Sequence, residues 1–204
     1  GTQGNWDPPY ATPSERADVI IKPGQDGRYP RVGQYTGARA KTVTVESGAK
    51  LDLGEWTIKT SGGSTAQLDV KNGGHLFLKG STDQKAWFEQ GMPANKMTVQ
   101  AGSTVEYYGQ PPVSSNVWEG PYHKLIVSGD KTSLTASGMT VNDTFTVKTT
   151  GALTVTAPNQ TYKNAVTLNG NTTFNASTSV TFEKNASITG SNSTFAVRGN
   201  LKLE

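Results

Sequence analysis

Apolar and polar residues alternate along residues 42–53, TVTVESGAKLDL, in two short runs separated by a five-residue break around Gly48. The same frame returns at 68–78, LDVKNGGHLFL, and at 97–107, MTVQAGSTVEY. Counted from Gly48, Gly73 and Gly102, apolar side chains fall five and three residues before each glycine and three and five after it. The first copy supplies Val43, Val45, Leu51 and Leu53, the second Leu68, Val70, Leu76 and Leu78, the third Met97, Val99, Val105 and Tyr107. Alternation at period two predicts strands with one apolar face. The breaks, rich in Gly, Ser, Asn and Lys, predict turns.

Looser copies follow at 145–155 around Thr150, at 166–176 around Asn171 and at 180–190 around Asn185, and 125–134 is a degraded one. Val45, Val70, Val99, Val127, Val147 and Leu168 then recur roughly 20–29 residues apart, a period typical of stacked repeats. The pattern predicts an all-β chain wound as a right-handed parallel β-helix (a β-solenoid), the hand following the general rule for parallel crossovers. Residues 1–40 carry Pro8, Pro9, Pro13, Pro23 and Pro30 and one apolar strand at 18–22, and are expected to form an N-terminal cap with Trp6 and Tyr10 over the first rung. Residues 41–204 form the solenoid, with long, looped rungs over 41–124 (loops at 61–65, 81–95 and 109–122) and short polar rungs over 125–204. The alternative is an antiparallel β-sandwich or meander in which each unit is a hairpin. Strands at 195–197 and 201–203 end without a proline or charged cap, which predicts that the natural chain continues.

Composition narrows the chemistry. With no cysteine among 204 residues, disulfides and thiolate metal sites are excluded. No apolar run approaches the length of a membrane span. The net charge of +3, from 19 basic and 16 acidic residues, looks scattered, so no nucleic-acid partner is expected. His75 falls in a predicted turn and His123 before a strand. Neither has the acidic ladder that a zinc site needs, and no metal or cofactor is expected. SGDKTS lacks the spacing of a phosphate loop. The six N-x-S/T sequons at Asn142, Asn159, Asn171, Asn175, Asn185 and Asn192 are what a Thr/Asn-rich composition generates by chance.

Two groups of residues remain as candidates. Asp52, Phe77 and Glu106 share an outward column in the repeat frame, and Thr44, Asp69 and Thr98 share another. Rungs at about 4.8 Å would put Asp52 and Glu106 roughly 10 Å apart, at the upper edge of what an inverting carboxylate pair uses. Neither acid has an obvious partner, solvated surface charge is the weightier reading, and an enzyme is not expected. Trp56, Trp87, Trp118, Tyr107, Tyr108 and Tyr122 lie on or beside the inserted loops and are candidate carbohydrate-binding residues. For any one of them, core packing outweighs ligand contact.

The opening NWDPPYATPSERADVIIKPG, followed by TVTVESGAKLDL and its copies, resembles repeat-rich cell-surface and secreted proteins of Bacteroidetes bacteria. Trp6, Asp18–Ile21 with Gly24, and residues 44–53 carry the likeness. It implies export, often by the type IX route, to the cell exterior or outer-membrane surface, and a pectin-lyase-like β-helix with an adhesive or structural role. The loop aromatics make a surface polysaccharide or a host or matrix glycan the expected partner, and the lack of a long apolar run predicts no membrane insertion. Polysaccharide lyases and hydrolases share that architecture, but architecture alone does not carry their activity.

Overall fold

The computed structural model describes residues 17–24, 27–31, 38–54, 58–59, 67–79, 97–109, 117–118, 120–130, 132–183, 186–190 and 193–204. Every pairing between described strands is parallel. Hairpins need antiparallel neighbours, so the sandwich or meander is ruled out. The chain is a β-solenoid of about six turns.

The front sheet stacks Asp18–Ile21, Thr42–Val45, Gln67–Val70 and Met97–Val99 in that order. A longer sheet runs the length of the molecule through Lys50–Gly54, His75–Lys79, Thr104–Tyr108, Lys124–Gly129, Phe145–Thr149, Val166–Leu168 and Ile188–Gly190. The rear sheet is two ladders joined by the 11-residue strand Thr172–Phe182. Ser133–Thr135 and Leu153–Thr156 lead to its first half, and Met139–Val141 and Asn159–Tyr162 to its second. Phe195–Leu203 pairs along its far side as one strand. In the front half, Ala38–Arg39 and Ile58–Lys59 pair as a further short ladder. Predicted features at 1–16, including Trp6 and Tyr10, at the 61–65 and 81–95 loops and at most of 109–122 lie outside the described residues.

Period two explains the core directly. Inward positions of successive coils meet in register: Val45 on Val70 on Val99 in the front sheet, and Leu51, Leu76, Val105, Leu125, Phe145 and Val166 in the long one. All of these side chains are buried. Burial of each contributes roughly 1.5–3 kcal/mol, which no coil could gain without its neighbours. At the corner between these sheets Gly48, Gly73 and Gly102 take φ of 72°, 74° and 77°, a left-handed conformation that costs residues with a Cβ about 1–2 kcal/mol.

The six positions expected to form one series form two. Val127, Val147 and Leu168 stack on Tyr107 in the long sheet, on a different face from Val45, Val70 and Val99. The repeated frame marks a corner between two strands without specifying which corner. At 42–53 it turns from the front sheet into the long sheet, whereas at 145–155 and 166–176 it turns from the long sheet into the rear one.

The rear coils also hold more than a thin apolar stripe. Phe145, Tyr162, Phe174 and Phe182 are buried together, with ring centroids 5.2–6.1 Å apart. The buried Gln160 amide donates to the carbonyls of Val155, Ala157 and Asn175 and accepts from the Tyr162 hydroxyl, so the corner beside these rings leaves that side chain satisfied.

Replacing Leu76 by Ala, at the centre of the long column, is expected to cost about 2–5 kcal/mol. Thr167→Ala, on the outward face of the same sheet, should stay within about 0.5 kcal/mol. Urea-unfolding midpoints of the two variants check this.

Candidate functional site

In-register stacking aligns the outward side chains as strictly as the inward ones. The expected column exists: Asp52 lies beside Phe77, Phe77 beside Glu106, and the row continues through Ile126, Thr146, Thr167 and Thr189. At its head stands Arg31, bridged in parallel to Asp52, with Asp52 N–H donating to the Pro30 carbonyl at 3.0 Å. The flanking outward rows hold Lys50, His75, Thr104 and Lys124 on one side and Lys79 with Tyr108, then Ser128 with Lys148, on the other.

The strand Lys50–Gly54 is irregular where Asp52 sits. Its register slips between Asp52 and Gly54, a bulge of the kind that re-aims side chains. The Asp52 carboxylate fixes the bulge itself, Oδ1 accepting from Gly54 N–H at 2.8 Å. Oδ1 also accepts from the Tyr108 hydroxyl at 2.8 Å, and Oδ2 accepts from Arg31 Nε at 2.7 Å. Arg31 Nη2 donates to the Tyr108 oxygen at 3.3 Å, closing a ring of three side chains. Asp52 and Tyr108 belong to coils separated by the coil of Phe77, so Tyr108 leans along the axis past the Phe77 ring edge, 6.4 Å between centroids. The expectation of a solvated, unpartnered Asp52 is therefore overturned: its side chain is 3% exposed, while that of Arg31 is 66% exposed. Burial raises the Tyr108 phenol to about 12, with the Arg31 hydrogen bond opposing and the Asp52 bond adding. Hydrogen bonds donated to Tyr108 and Asp52 hold Arg31 firmly charged.

Glu106 also has partners. His75 is not in a turn but begins the strand His75–Lys79. Its ring stacks on Phe77 at 3.9 Å and 13°, and Phe77 stacks in turn on Tyr29 at 5.5 Å and 12°. His75 Nε2 lies 3.1 Å from Glu106 Oε2, near enough for an ion pair, yet out of line for a hydrogen bond, so this buried nitrogen has no well-directed acceptor. Ser128 donates to Glu106 Oε1 at 2.7 Å. His75 first, then Ser128, lower the Glu106 carboxyl below its ordinary range against the opposing cost of burial. A carboxylate kept ionised in this way is poorly suited to donate a proton, and Asp52 has its lone pairs engaged.

The aromatic candidates separate sharply. Tyr107, Tyr122 and Trp118 are buried. The Tyr107 and Tyr122 hydroxyls lie 3.1 Å apart, and Tyr122 donates to the Trp118 carbonyl. Burial raises the Tyr107 phenol far above its ordinary value. Rings enclosed in the core have no face to offer a sugar, so these three are packing residues. Tyr108 is half-buried in the clasp, and Trp56 and Trp87 lie outside the described residues. Sequence reasoning missed Arg31 and Tyr29, which sit outside the repeat frame. It found Phe77 only as a member of the outward column.

Basic residues occur on several ladders, with Arg39, Lys59, Arg198 and Lys202 on strands outside the long sheet. Outward positions of the long sheet carry Lys50, Lys79, Lys124 and Lys148, with Arg31 at the edge, against only Asp52 and Glu106. Among the described residues no group of three or more His, Cys, Asp or Glu is placed to hold a metal ion, and no helix is long and apolar enough to cross a membrane. A scan against protein-family models found no match, and searches of curated proteins and of solved structures returned none, so function has to be read from the geometry itself.

Tyr108→Phe should cost about 1 kcal/mol, and Asp52→Ala about 1–3 kcal/mol, because the second strands buried donors. Chemical denaturation of the two single variants and the double variant measures their coupling. Glu106 titrates lower when folded, so its contribution is present above the ordinary 4.5 and is lost as pH falls through the depressed folded value. The unfolding midpoint of the wild type should therefore drop from about pH 5 downward. Glu106→Gln should show a smaller drop, as followed by circular dichroism across a pH series.

Proposed function

We propose that the chain is a non-catalytic structural or adhesive β-solenoid, displayed outside the cell or on the outer-membrane surface of a Bacteroidetes-type bacterium. Residues 1–40 act as its cap, and the coils wind right-handed. The observation that supports this reading is the unbroken parallel stacking of coils from Asp18–Ile21 to Phe195–Leu203. Each coil supplies the next with both a hydrogen-bonded edge and an apolar floor, which gives a stiff support for side chains on its faces.

The adhesive half of the proposal rests on the half-exposed group formed by Tyr29, Phe77, His75 and Tyr108 with Arg31. A surface polysaccharide or a host or matrix glycan is its partner. Seven strands at about 4.8 Å span only about 29 Å along the axis, so shape in solution discriminates poorly, and the functional test is chemical. Beads carrying the chain are incubated with a panel of neutral and acidic polysaccharides, and the bound and free polymers are sized. Retention of at least one polymer with its length unchanged is expected. Shortened polymer, or new reducing or unsaturated ends, would contradict the non-catalytic reading.

A further inference from the structure

We propose that the outward face of the long sheet binds carboxylated glycans, with the Arg31 guanidinium as the docking fork for a sugar carboxylate. This deepens the adhesive reading and rests on it. A guanidinium has five N–H donors. Among the described residues the Arg31 Nε–H is committed to Asp52 and one Nη2–H to Tyr108, which leaves three donors, two on Nη1 and one on Nη2, on a side chain that is 66% exposed. Nη1 and Nη2 together present the parallel pair of N–H groups that a carboxylate accepts in bidentate fashion.

The fork is held before any ligand arrives. Asp52 is buried, is fixed to the backbone of its own bulge and cannot swing away. Tyr108 braces the other edge of the guanidinium from two coils along the axis. Pre-organisation of this kind removes much of the ordering cost that a free surface arginine would incur on binding. Asp52 is thus a positioning residue, and its charge is already engaged by Arg31.

Charge complementarity names the occupant. Among the described strand residues the two acids on this face have partners within it, Asp52 in Arg31 and Glu106 in the Ser128 hydroxyl, with the His75 ring 3.1 Å away. Lys50 and Lys124 on one flank and Lys148 on the other, with Arg31 at the edge, then give the described strands of this face a cationic excess along the solenoid axis, which draws in a linear polyanion. The rings argue against a nucleic acid. Phe77 is already stacked with both His75 and Tyr29, and Lys50 Nζ lies 5.9 Å from the Tyr29 ring centroid, so among the described residues these rings pack on one another and on a lysine in place of a nucleobase.

The test compares alginate with its carboxyl-reduced derivative, which has the same backbone without the charge, by biolayer interferometry at about 50 and 300 mM salt. The wild type should bind alginate at least about tenfold more tightly than the reduced polymer. Arg31→Lys, which keeps the charge and loses the fork, should weaken alginate binding about tenfold. Lys50→Gln/Lys124→Gln, which leaves the clasp intact, should weaken it several-fold and flatten its salt dependence. Melting temperatures of all variants are recorded alongside. An Arg31→Lys protein that is less stable yet binds as the wild type does would make the arginine purely structural and overturn the proposal. Equal affinity for alginate and its reduced form would overturn the proposal while leaving glycan adhesion intact. Binding to neither form, nor to any polymer of the panel above, would remove adhesion and this proposal together.

Discussion

A single coil of this chain cannot bury its apolar side chains by itself. Two or three short strands joined by turns form an open loop with no interior, and only the coils above and below close it. The molecule therefore depends on in-register axial stacking, in which Val45 meets Val70 and Leu51 meets Leu76. That contact aligns the parallel hydrogen bonds, excludes water from the column and sets the corner geometry that places left-handed glycines at 48, 73 and 102.

The same alignment generates the outer surface. Period two sends every second side chain outward, so a register fixed by the core also fixes which charges and rings become neighbours outside. Arg31, Asp52 and Tyr108 come from three different coils, yet meet within hydrogen-bonding distance because their backbones are locked one above another. The bulge at Asp52 tilts its carboxylate into this group, and burial raises the cost of leaving it unpaired. Rigidity of the core and orientation of the guanidinium are two consequences of one constraint.

Much of this was legible in the residues. The alternation at 42–53, 68–78 and 97–107 specified strands, their inward faces and the stacking of Val45, Val70 and Val99, because period and turn chemistry are local properties. The column Asp52–Phe77–Glu106 followed from the same frame. What was not legible depends on which corner each unit turns and on side chains outside the frame. The frame cannot tell a front corner from a rear one, so Val127 was placed beneath Val99 instead of beside Tyr107. Asp52 and Glu106 looked solvated because their partners, Arg31 and His75, are joined to them only through coil stacking. Tyr107, Tyr122 and Trp118 sit next to loops in sequence while their rings fill the interior. Proximity to a loop says nothing about which way a ring points.

The most direct test of axial stacking uses the absence of native cysteine. Cysteines placed at Thr146 and Thr167, register partners on adjacent coils, should form an intramolecular disulfide under mild oxidation, since parallel neighbours about 4.8 Å apart suit its geometry. Cysteines at Thr146 and Thr189, separated by the coil of Thr167, should remain reduced within the monomer. Rapid closure of the first pair alone is the predicted result. Closure of the second pair with the first left open would contradict stacking in this register.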